Sequence, residues 1–148
     1  MAYKTLRNKA LRDCDLITCT LDNKSWYSNR YLATEFNIFK DYKITKNNNV
    51  IGNTPNLSMI LDRVKDSIYA EVENIEDTPL NDNVFLSVKT DAGIVKTLVN
   101  KNYFDLIKTL YPDSTIKIAI ESPYRPELEV VKFEVNNRLV AVIMPIKA

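Results

Sequence analysis

The chain has 148 residues, of which 45% are hydrophobic and 26% charged, and these proportions indicate one globular domain and exclude a disordered or collagen-like chain. Its 20 basic and 19 acidic side chains give a formal net charge of +1, which excludes a strong overall positive field for non-specific nucleic-acid binding. With no histidine and only two glycines, the sequence lacks a Ser-His-Asp triad, histidine metal ligands and a glycine-rich phosphate loop. We therefore expect a non-enzymatic protein that uses no cofactor and no metal ion.

The first twelve residues are predicted to form a short basic helix. They carry four cations and no acidic side chain, and their leucines and central alanine would lie along one side. Such a helix can contact the phosphates of nucleic acid, although a solvated surface helix is the simpler interpretation. The four candidate phosphate contacts are Lys4, Arg7, Lys9 and Arg12.

The sequence also bears on location and source. The N-terminal stretch has no continuous apolar run of the kind that a signal peptide requires. The longest apolar stretch, residues 139–146, has the length of a strand and is too short to span a membrane. Abundant Asn, Ile and Lys are typical of AT-rich genes. We therefore expect a cytoplasmic protein with no membrane partner, encoded by a low-GC bacterium or by one of its phages.

Residues 15–21 are rich in β-branched side chains and predict a strand. Cys14 precedes this strand and Cys19 lies within it. A zinc site would need two further Cys or His ligands, which the chain lacks. The two cysteines are either a redox pair or two reduced thiols, and the cytosolic character of the chain favours reduced thiols.

Residues 25–31 concentrate aromatic side chains and an arginine. This composition is typical of binding hot spots, which are enriched in Trp, Tyr and Arg. It is equally typical of a corner of the core in which Trp26 and Tyr31 are buried, and both interpretations remain open. The candidate protein-binding residues of this segment are Trp26, Tyr27, Arg30 and Tyr31.

Residues 32–39 are predicted to be helical. In the second half of the chain the ends of the predicted helices and strands are marked more clearly by capping and turn residues. Thr54 is a good N-cap and Pro55 suits the first helical position, so a helix is predicted to begin there. Residues 90–93 carry a hairpin turn signal, and Asn100 is the predicted N-cap of another helix. The predicted strands of this half are residues 68–75, 84–89, 94–99, 115–121, 128–135 and 138–145.

The order of these elements predicts the fold class. Residues 55–99 read as a helix followed by three strands, and residues 101–146 repeat that order. Two αβββ units in tandem predict an α+β domain, an antiparallel sheet with helices on one side. We assign residues 41–148 to this domain. Residues 1–40 form an N-terminal extension or arm that either packs on the domain or makes separate contacts.

Four stretches near the C-terminus form a recognisable pattern. They are Asn-Tyr-Phe-Asp-Leu-Ile-Lys-Thr-Leu at 102–110, Ser-Thr-Ile-Lys-Ile-Ala-Ile at 114–120, Pro126, and Leu-Val-Ala-Val-Ile-Met-Pro-Ile-Lys at 139–147. Together they resemble the closing half-domain of bacterial sliding clamps, the β subunit of DNA polymerase III. The resemblance implies a clamp-like fold, because domains of that family are themselves doubled strand-helix-three-strand units.

The resemblance also implies a site. In sliding clamps the terminal apolar segment helps to form a cleft that binds short linear peptides. Carried over to this chain, the cleft would lie around Val142, Met144, Pro145 and Ile146. Methionine suits a groove that adapts to different peptides. The same side chains also suit a plain sheet core, and both interpretations remain open.

Two departures from the family pattern bear on DNA binding. A clamp subunit carries three such domains, whereas this chain has the length of one. The family lines its ring with basic helices, whereas here Arg63 and Lys65 stand beside Asp62 and Asp66. A DNA clamp made of this chain would therefore be an oligomer that contacts phosphates through the N-terminal cations.

Residues 122–126, Ser-Pro-Tyr-Arg-Pro, form a second candidate contact surface. The two prolines stiffen the loop and so limit the entropy that is lost on binding. Tyrosine and arginine are both favoured at interfaces. The contact residues of this loop would be Tyr124 and Arg125.

The sequence thus predicts a non-enzymatic protein-binding module, encoded by a phage or another mobile element. It would act in one of two ways. Either it associates with itself, as a homodimer or a higher homo-oligomer, or it binds a host protein of defence or replication and inhibits or modulates that protein. The alternative is a small oligomeric DNA clamp with weak DNA contacts. Both hypotheses need a shaped surface rather than a catalytic centre.

Overall fold

The computed structural model describes residues 2–52, 56–79 and 81–146. Within these ranges the chain forms three α-helices, two short 3-10 helices and eleven strands. The helices are α1 (Tyr3–Leu11), α2 (Asn56–Arg63) and α3 (Lys101–Leu110), and the 3-10 helices are Val64–Asp66 and Pro126–Leu128. The strands are β1 (Leu16–Leu21), β2 (Lys24–Ser28), β3 (Leu32–Thr34), β4 (Val50–Ile51), β5 (Ile68–Glu71), β6 (Asn74–Asp77), β7 (Asn83–Thr90), β8 (Gly93–Asn100), β9 (Thr115–Glu121), β10 (Val131–Val135) and β11 (Arg138–Ile143).

Eight strands of the described ranges form one mixed sheet in the order β4-β1-β2-β3-β11-β10-β9-β5. The β1–β4 pair is parallel and the other neighbours are antiparallel. β3 and β11 lie at its centre, where Ala33 is paired with Val142. The first three strands of the chain and the last three therefore belong to the same sheet.

A smaller sheet of the described residues consists of β6, β7 and β8. β7 and β8 form a long hairpin in which Thr90 is paired with Gly93, which confirms the predicted turn. Gly93 has a φ of 124°, a conformation that suits glycine because it has no Cβ. Val84 and Leu86 of this sheet are buried in the same core as α3.

The large sheet separates two cores because successive side chains of a strand point to opposite faces. Leu16 of β1 belongs to the core that contains α1 and α3, whereas Cys19 belongs to the core that contains α2. α2 is amphipathic, and its Leu57, together with Val64 of the 3-10 helix that follows it, packs with Cys19 and Trp26. The chain is α+β, as predicted, with α1 and α3 on one side of the large sheet and α2 on the other.

Residues predicted as one strand, 68–75, divide between the two sheets. The Val72 backbone N–H donates to the carbonyl of Ile116 in β9 at 2.8 Å, which is a bond to the large sheet. The next residue, Glu73, donates its backbone N–H to the carbonyl of Ser87 in β7 at 2.9 Å, which is a bond to the small sheet. The chain therefore crosses from one sheet to the other between these two residues. As a result four strands, rather than the predicted three, follow α2. Three strands follow α3, as predicted.

Local signals explain two further outcomes. The Asn100 side chain accepts a hydrogen bond from the Tyr103 backbone N–H at 3.2 Å, which confirms Asn100 as the N-cap of α3. The predicted helix at 32–39 is wrong, because β3 pairs with β11 and the Asn37 side chain accepts a bond from the Phe39 backbone N–H instead. The predicted N-cap Thr54 and the adjoining Pro55 lie outside the described residues.

Candidate protein-binding site

A cavity of about 230 Å³ lies between α2 and the face of the large sheet that α2 covers. Its walls come from β1, β3, α2 and the segment that follows β11, and most of the side chains are apolar. We call it the α2 cavity. Its lining residues in the described ranges are Ile17, Cys19, Ser28, Arg30, Tyr31, Leu32, Ala33, Leu57, Ile60, Val130, Val142 and Met144.

The β2–β3 turn forms the polar rim of the cavity, and Asn29 holds this turn in place. The buried Asn29 side chain accepts hydrogen bonds from the backbone N–H groups of Tyr31, at 2.9 Å, and Leu32, at 2.8 Å. Its amide donates to the Ala10 carbonyl at 2.7 Å, which ties the turn to α1. Arg30 can therefore be kept at a φ of 81°, a left-handed conformation that is uncommon for this residue type.

Arg30 and Tyr31 lie on this rim and contact different neighbours. The Arg30 guanidinium bonds to Asp15, and this bond, followed by one from Asn49, lowers the pKa of the Asp15 carboxyl. Tyr31 is half exposed and stacks on Tyr103 of α3, with ring centroids 6.4 Å apart. An arginine and an exposed aromatic ring at the mouth of an apolar cavity are the residue types that dominate binding hot spots.

The end of β11 and the segment after it bring two of the four residues predicted for a peptide cleft to this cavity. Val142 and Met144 line it, and the Met144 backbone N–H donates to the Tyr31 carbonyl at 2.7 Å. The chain then leaves the cavity, because the Ile146 N–H donates to the Leu98 carbonyl of β8 at 2.8 Å. Pro145 and Ile146 are therefore not among the residues that line it.

Trp26 and Tyr27 do not reach the α2 cavity. Trp26 is 2% exposed and packs in the core beneath α2, so it is a core residue and cannot form an exposed contact. Tyr27 points to the other face of the sheet, where its ring meets that of Phe39 edge-on at 5.3 Å. Of the aromatic segment 25–31, Arg30 and Tyr31 are the two predicted contact residues that line the cavity.

Tyr124 and Arg125 are exposed but lie outside the cavity. Arg125 donates from Nε to the Glu127 carboxylate at 2.8 Å, a bond within the same loop. The Tyr124 ring lies 5.4 Å from the guanidinium carbon of Arg63, the last residue of α2. This loop therefore contacts the C-terminal end of the helix that forms one wall of the cavity.

The structure corrects one of the four predicted phosphate contacts. Arg7 is 4% exposed and donates from Nη1 to the carbonyls of Ile38, at 3.3 Å, and Lys40, at 2.8 Å. Its guanidinium also lies over the rings of Tyr3 and Tyr42. Arg7 therefore fixes α1 to a loop and cannot reach a ligand. The other predicted contacts, Lys4, Lys9 and Arg12, are exposed.

Both cysteines are free thiols, and burial raises the pKa of each. Cys14 is partly buried and Cys19 lies in the wall of the α2 cavity. A raised pKa leaves little thiolate near neutral pH, so neither thiol is an activated nucleophile. Among residues 2–52, 56–79 and 81–146, no cluster of three Cys, Asp or Glu side chains is suited to hold a metal ion.

The sequence identified four lining residues, Arg30, Tyr31, Val142 and Met144, and missed those on β1 and α2. Ile17 and Leu57 are ordinary apolar residues in an ordinary pattern, so nothing in the sequence marked them as neighbours. The only signal was the apolar stripe of α2, which predicts that the helix is buried but not which surface it covers.

Comparison with protein-family models, with curated proteins and with solved structures finds no match to this chain. The resemblance to sliding clamps therefore stays a prediction. In the part of the chain that the structure describes, no helix has both the length and the apolar character needed to cross a membrane. The α2 cavity is therefore the feature of the molecule that bears on function.

Proposed function

We propose that this protein is a non-enzymatic protein-binding module that takes an apolar side chain of a partner segment into the α2 cavity. The observation that carries the proposal is the convergence of two segments predicted independently to bind protein. Arg30 and Tyr31 come from the first, Val142 and Met144 from the second, and all four line one apolar cavity. This convergence depends on the pairing of β3 with β11.

The size of the cavity suits one side chain. A dry apolar cavity of about 150 Å³ is known to hold benzene, so 230 Å³ accommodates a phenylalanine ring or a leucine. Burying such a side chain contributes roughly 1.5–3 kcal/mol. This is less than a stable complex needs, so the partner must also contact the rim, where the half-exposed Tyr31 offers a flat aromatic surface.

The charge at the rim adds a second requirement for the partner. Among the described residues that line the cavity, Arg30 is the one that carries a charge. Its guanidinium has five N–H donors, so Asp15 leaves donors free for a further carboxylate. We propose that the partner segment carries an acidic residue next to its apolar anchor, because the Arg30 donors that Asp15 leaves free can bind a further carboxylate.

A peptide selection tests the proposal. Peptides enriched from a random library on the wild-type protein should carry an apolar residue beside an acidic one. Their affinity should fall by about tenfold or more for Ala33→Phe, which fills the cavity from β3, because the anchor loses its burial. Titration calorimetry with each purified variant measures this change.

The matched controls separate binding from folding. Met59 of α2 is 64% exposed and is not among the residues that line the cavity, so Met59→Phe should leave the affinity unchanged. Met144→Lys keeps the β3 packing intact and should weaken binding like Ala33→Phe. Selected peptides that bind folded Ala33→Phe and folded Met144→Lys with wild-type affinity would contradict the proposal.

Self-association and DNA binding remain predictions. The alternative DNA clamp is supported by three exposed cations, Lys4 and Lys9 of α1 and Arg12 directly after it. It has one phosphate contact fewer than the sequence predicted, because Arg7 is buried. The α2 cavity lies on the opposite face of the large sheet from α1, so a partner in the cavity would not cover these cations.

A further inference from the structure

A second cleft lies between α1 and the loop at residues 41–45. α1 packs on the face of the large sheet opposite to α2, so this cleft and the α2 cavity are on different sides of the molecule. We call it the α1 cleft, and its volume is about 390 Å³. Four of its lining residues in the described ranges are cations, Lys4, Arg7, Arg12 and Lys43, and one is acidic, Asp41.

The helix and the loop both contribute cations to the cleft. Lys4, Asn8 and Arg12 are spaced four residues apart, so they follow one face of α1 to the residue directly after its end. At a rise of 1.5 Å per residue, Lys4 and Arg12 are about 12 Å apart along the helix axis. Lys43 lines the cleft from the loop. Cations thus approach the same space from two segments of the chain.

The exposed cations of the cleft have no carboxylate partners. In the described part of the chain, Lys4, Arg12 and Lys43 form no ion pair within 4 Å, and Asp41 forms none with them. Cations elsewhere are paired, as Lys117 is with a carboxylate oxygen of Glu134 at 2.7 Å. The α1 cleft therefore keeps an excess of positive charge that no acidic side chain of these ranges neutralises.

Arg7 adds a buried charge to the same cleft. It is 4% exposed, and its hydrogen bonds go to the Asn8 side chain and to the carbonyls of Ile38 and Lys40. These neutral groups satisfy its donors but do not cancel its charge, and a buried charge without a counter-ion is costly. Water screens a buried charge less than an exposed one, so Arg7 attracts an anion in the cleft without contacting it.

Asn8 supplies hydrogen-bond donors between the cations of the helix. Its Oδ1 accepts a bond from Arg7 Nε at 2.8 Å, which leaves the amide N–H groups of this exposed side chain available to a ligand. Ammonium, guanidinium and amide donors around one cleft match the oxygens of a phosphate group. Arg7 therefore has two effects on the cleft, through its charge and through the orientation of Asn8.

We propose that the α1 cleft binds a diphosphate group, held by Lys4, Arg12 and Lys43 above the buried charge of Arg7. Two adjacent phosphates suit the cleft better than one, because the helix cations are about 12 Å apart and each then reaches a phosphate. An extended nucleic-acid backbone suits it less, because its charges would also use Lys9, which is exposed on α1 but does not line the cleft. This site goes beyond the proposed function and does not depend on it.

The test uses inorganic pyrophosphate as the probe and follows the backbone amide signals of the isotope-labelled full chain by NMR. Pyrophosphate should shift the signals of Tyr42 and Lys43 and leave that of Leu57, in the α2 cavity, in place. Lys43→Met and Arg12→Met should each weaken binding about fivefold or more, because each removes a positive charge beside the anion. Both side chains are exposed, and they belong to different segments, so a folding defect in one variant leaves the other as a test.

Asp41→Asn should change the affinity in the opposite direction. It removes the acidic side chain of the cleft, so pyrophosphate should bind about fivefold more tightly. Asp41 has a φ of 60°, a left-handed conformation in which asparagine is also common, so the loop should keep its shape. A general loss of structure would weaken binding instead, which makes this variant a check on the sign of the effect.

Lys9→Met is the matched control, because it removes the same charge from the same helix outside the cleft. It should change the affinity by about twofold or less, since an exposed charge at a distance is screened by salt. Equal weakening by Lys9→Met, Arg12→Met and Lys43→Met would show a general charge effect and overturn the inference. Unchanged Tyr42 and Lys43 signals at about 10 mM pyrophosphate would also overturn it, because a site with a millimolar Kd is then filled.

Two further ligands identify the source of the diphosphate. ADP that binds at the same signals as tightly as pyrophosphate, or more tightly, supports the inference with a nucleotide as the ligand, and pyrophosphate binding alone supports it with the inorganic anion. A single-stranded oligonucleotide that binds more tightly than both, and that Lys9→Met weakens as much as Arg12→Met, would reveal an extended nucleic-acid surface and contradict the inference. Peptide binding at the α2 cavity is measured separately, so failure at the α1 cleft leaves the proposed function intact.

Discussion

Replacing Arg7 with methionine should lower the free energy of unfolding by about 3–5 kcal/mol, since a hydrogen bond to a charged group contributes roughly 1.5–3 kcal/mol. Arg7 is the buried link between α1 and the loop at residues 38–40, and it donates to the Ile38 and Lys40 carbonyls. Methionine fills much of the same space but donates no hydrogen bond, so both carbonyls lose their partner. The contacts with the rings of Tyr3 and Tyr42 are also weakened.

Urea unfolding followed by the fluorescence of Trp26 measures this change, because the single tryptophan is buried in the native protein. The matched controls are Lys4→Met and Lys9→Met, which replace exposed cations of the same helix and should change stability by less than about 0.5 kcal/mol. If Arg7→Met proved as stable as these controls, Arg7 would be free to contact a ligand, and its assignment as a core residue would be wrong.

Replacing Asn29 with alanine should lower the free energy of unfolding by about 3 kcal/mol, because each buried group left without a partner costs roughly 1–3 kcal/mol. Three backbone groups lose their bond: the N–H groups of Tyr31 and Leu32 and the carbonyl of Ala10. The same change releases the turn that carries Arg30 and Tyr31. We therefore expect Asn29→Ala to weaken binding of a selected peptide as well as to reduce stability.

Asn37→Ala is the matched control for this prediction. The Asn37 side chain also accepts a bond from a backbone N–H, that of Phe39 at 3.0 Å, but Asn37 is exposed and is not among the residues that line the α2 cavity. Its replacement should cost about 1 kcal/mol or less and leave peptide affinity unchanged. Equal losses of stability for Asn29→Ala and Asn37→Ala would contradict the role given to Asn29 at the rim.

The parts of the fold that were predictable from sequence are those that depend on neighbouring residues. Asn100 caps α3 because its side chain reaches an N–H three residues ahead, and such a bond can be read from the sequence. The hairpin between β7 and β8 turns at Gly93, which has the positive φ that a tight turn favours. In both cases the interaction that decides the structure is local.

The parts that were not predictable depend on contacts between distant segments. The α2 cavity exists because Ala33 of β3 pairs with Val142 of β11, more than one hundred positions later. The sequence marked residues from both segments as candidates but could not show that they meet. The position of α2 on the face opposite to α1 and α3 was also hidden, because an apolar stripe does not specify the surface on which it packs.

Charge patterning misled in one case for a physical reason. Arg7 is one of four cations in a short helix without acids, which is a typical pattern for a surface that contacts phosphate. Its burial is possible because carbonyl groups and aromatic rings, rather than carboxylates, surround the guanidinium. Neither kind of partner can be recognised from the charge pattern of a sequence.

In the proposed function a partner segment inserts an apolar side chain into the α2 cavity. The most direct test is the methyl spectrum of methionine-labelled wild-type protein as a selected peptide is added. The account predicts that the Met144 signal shifts in proportion to the bound fraction while the Met59 signal stays in place, because Met144 lines the cavity and Met59 lies outside it. Peptide binding that leaves the Met144 signal unchanged would show that the partner site lies elsewhere.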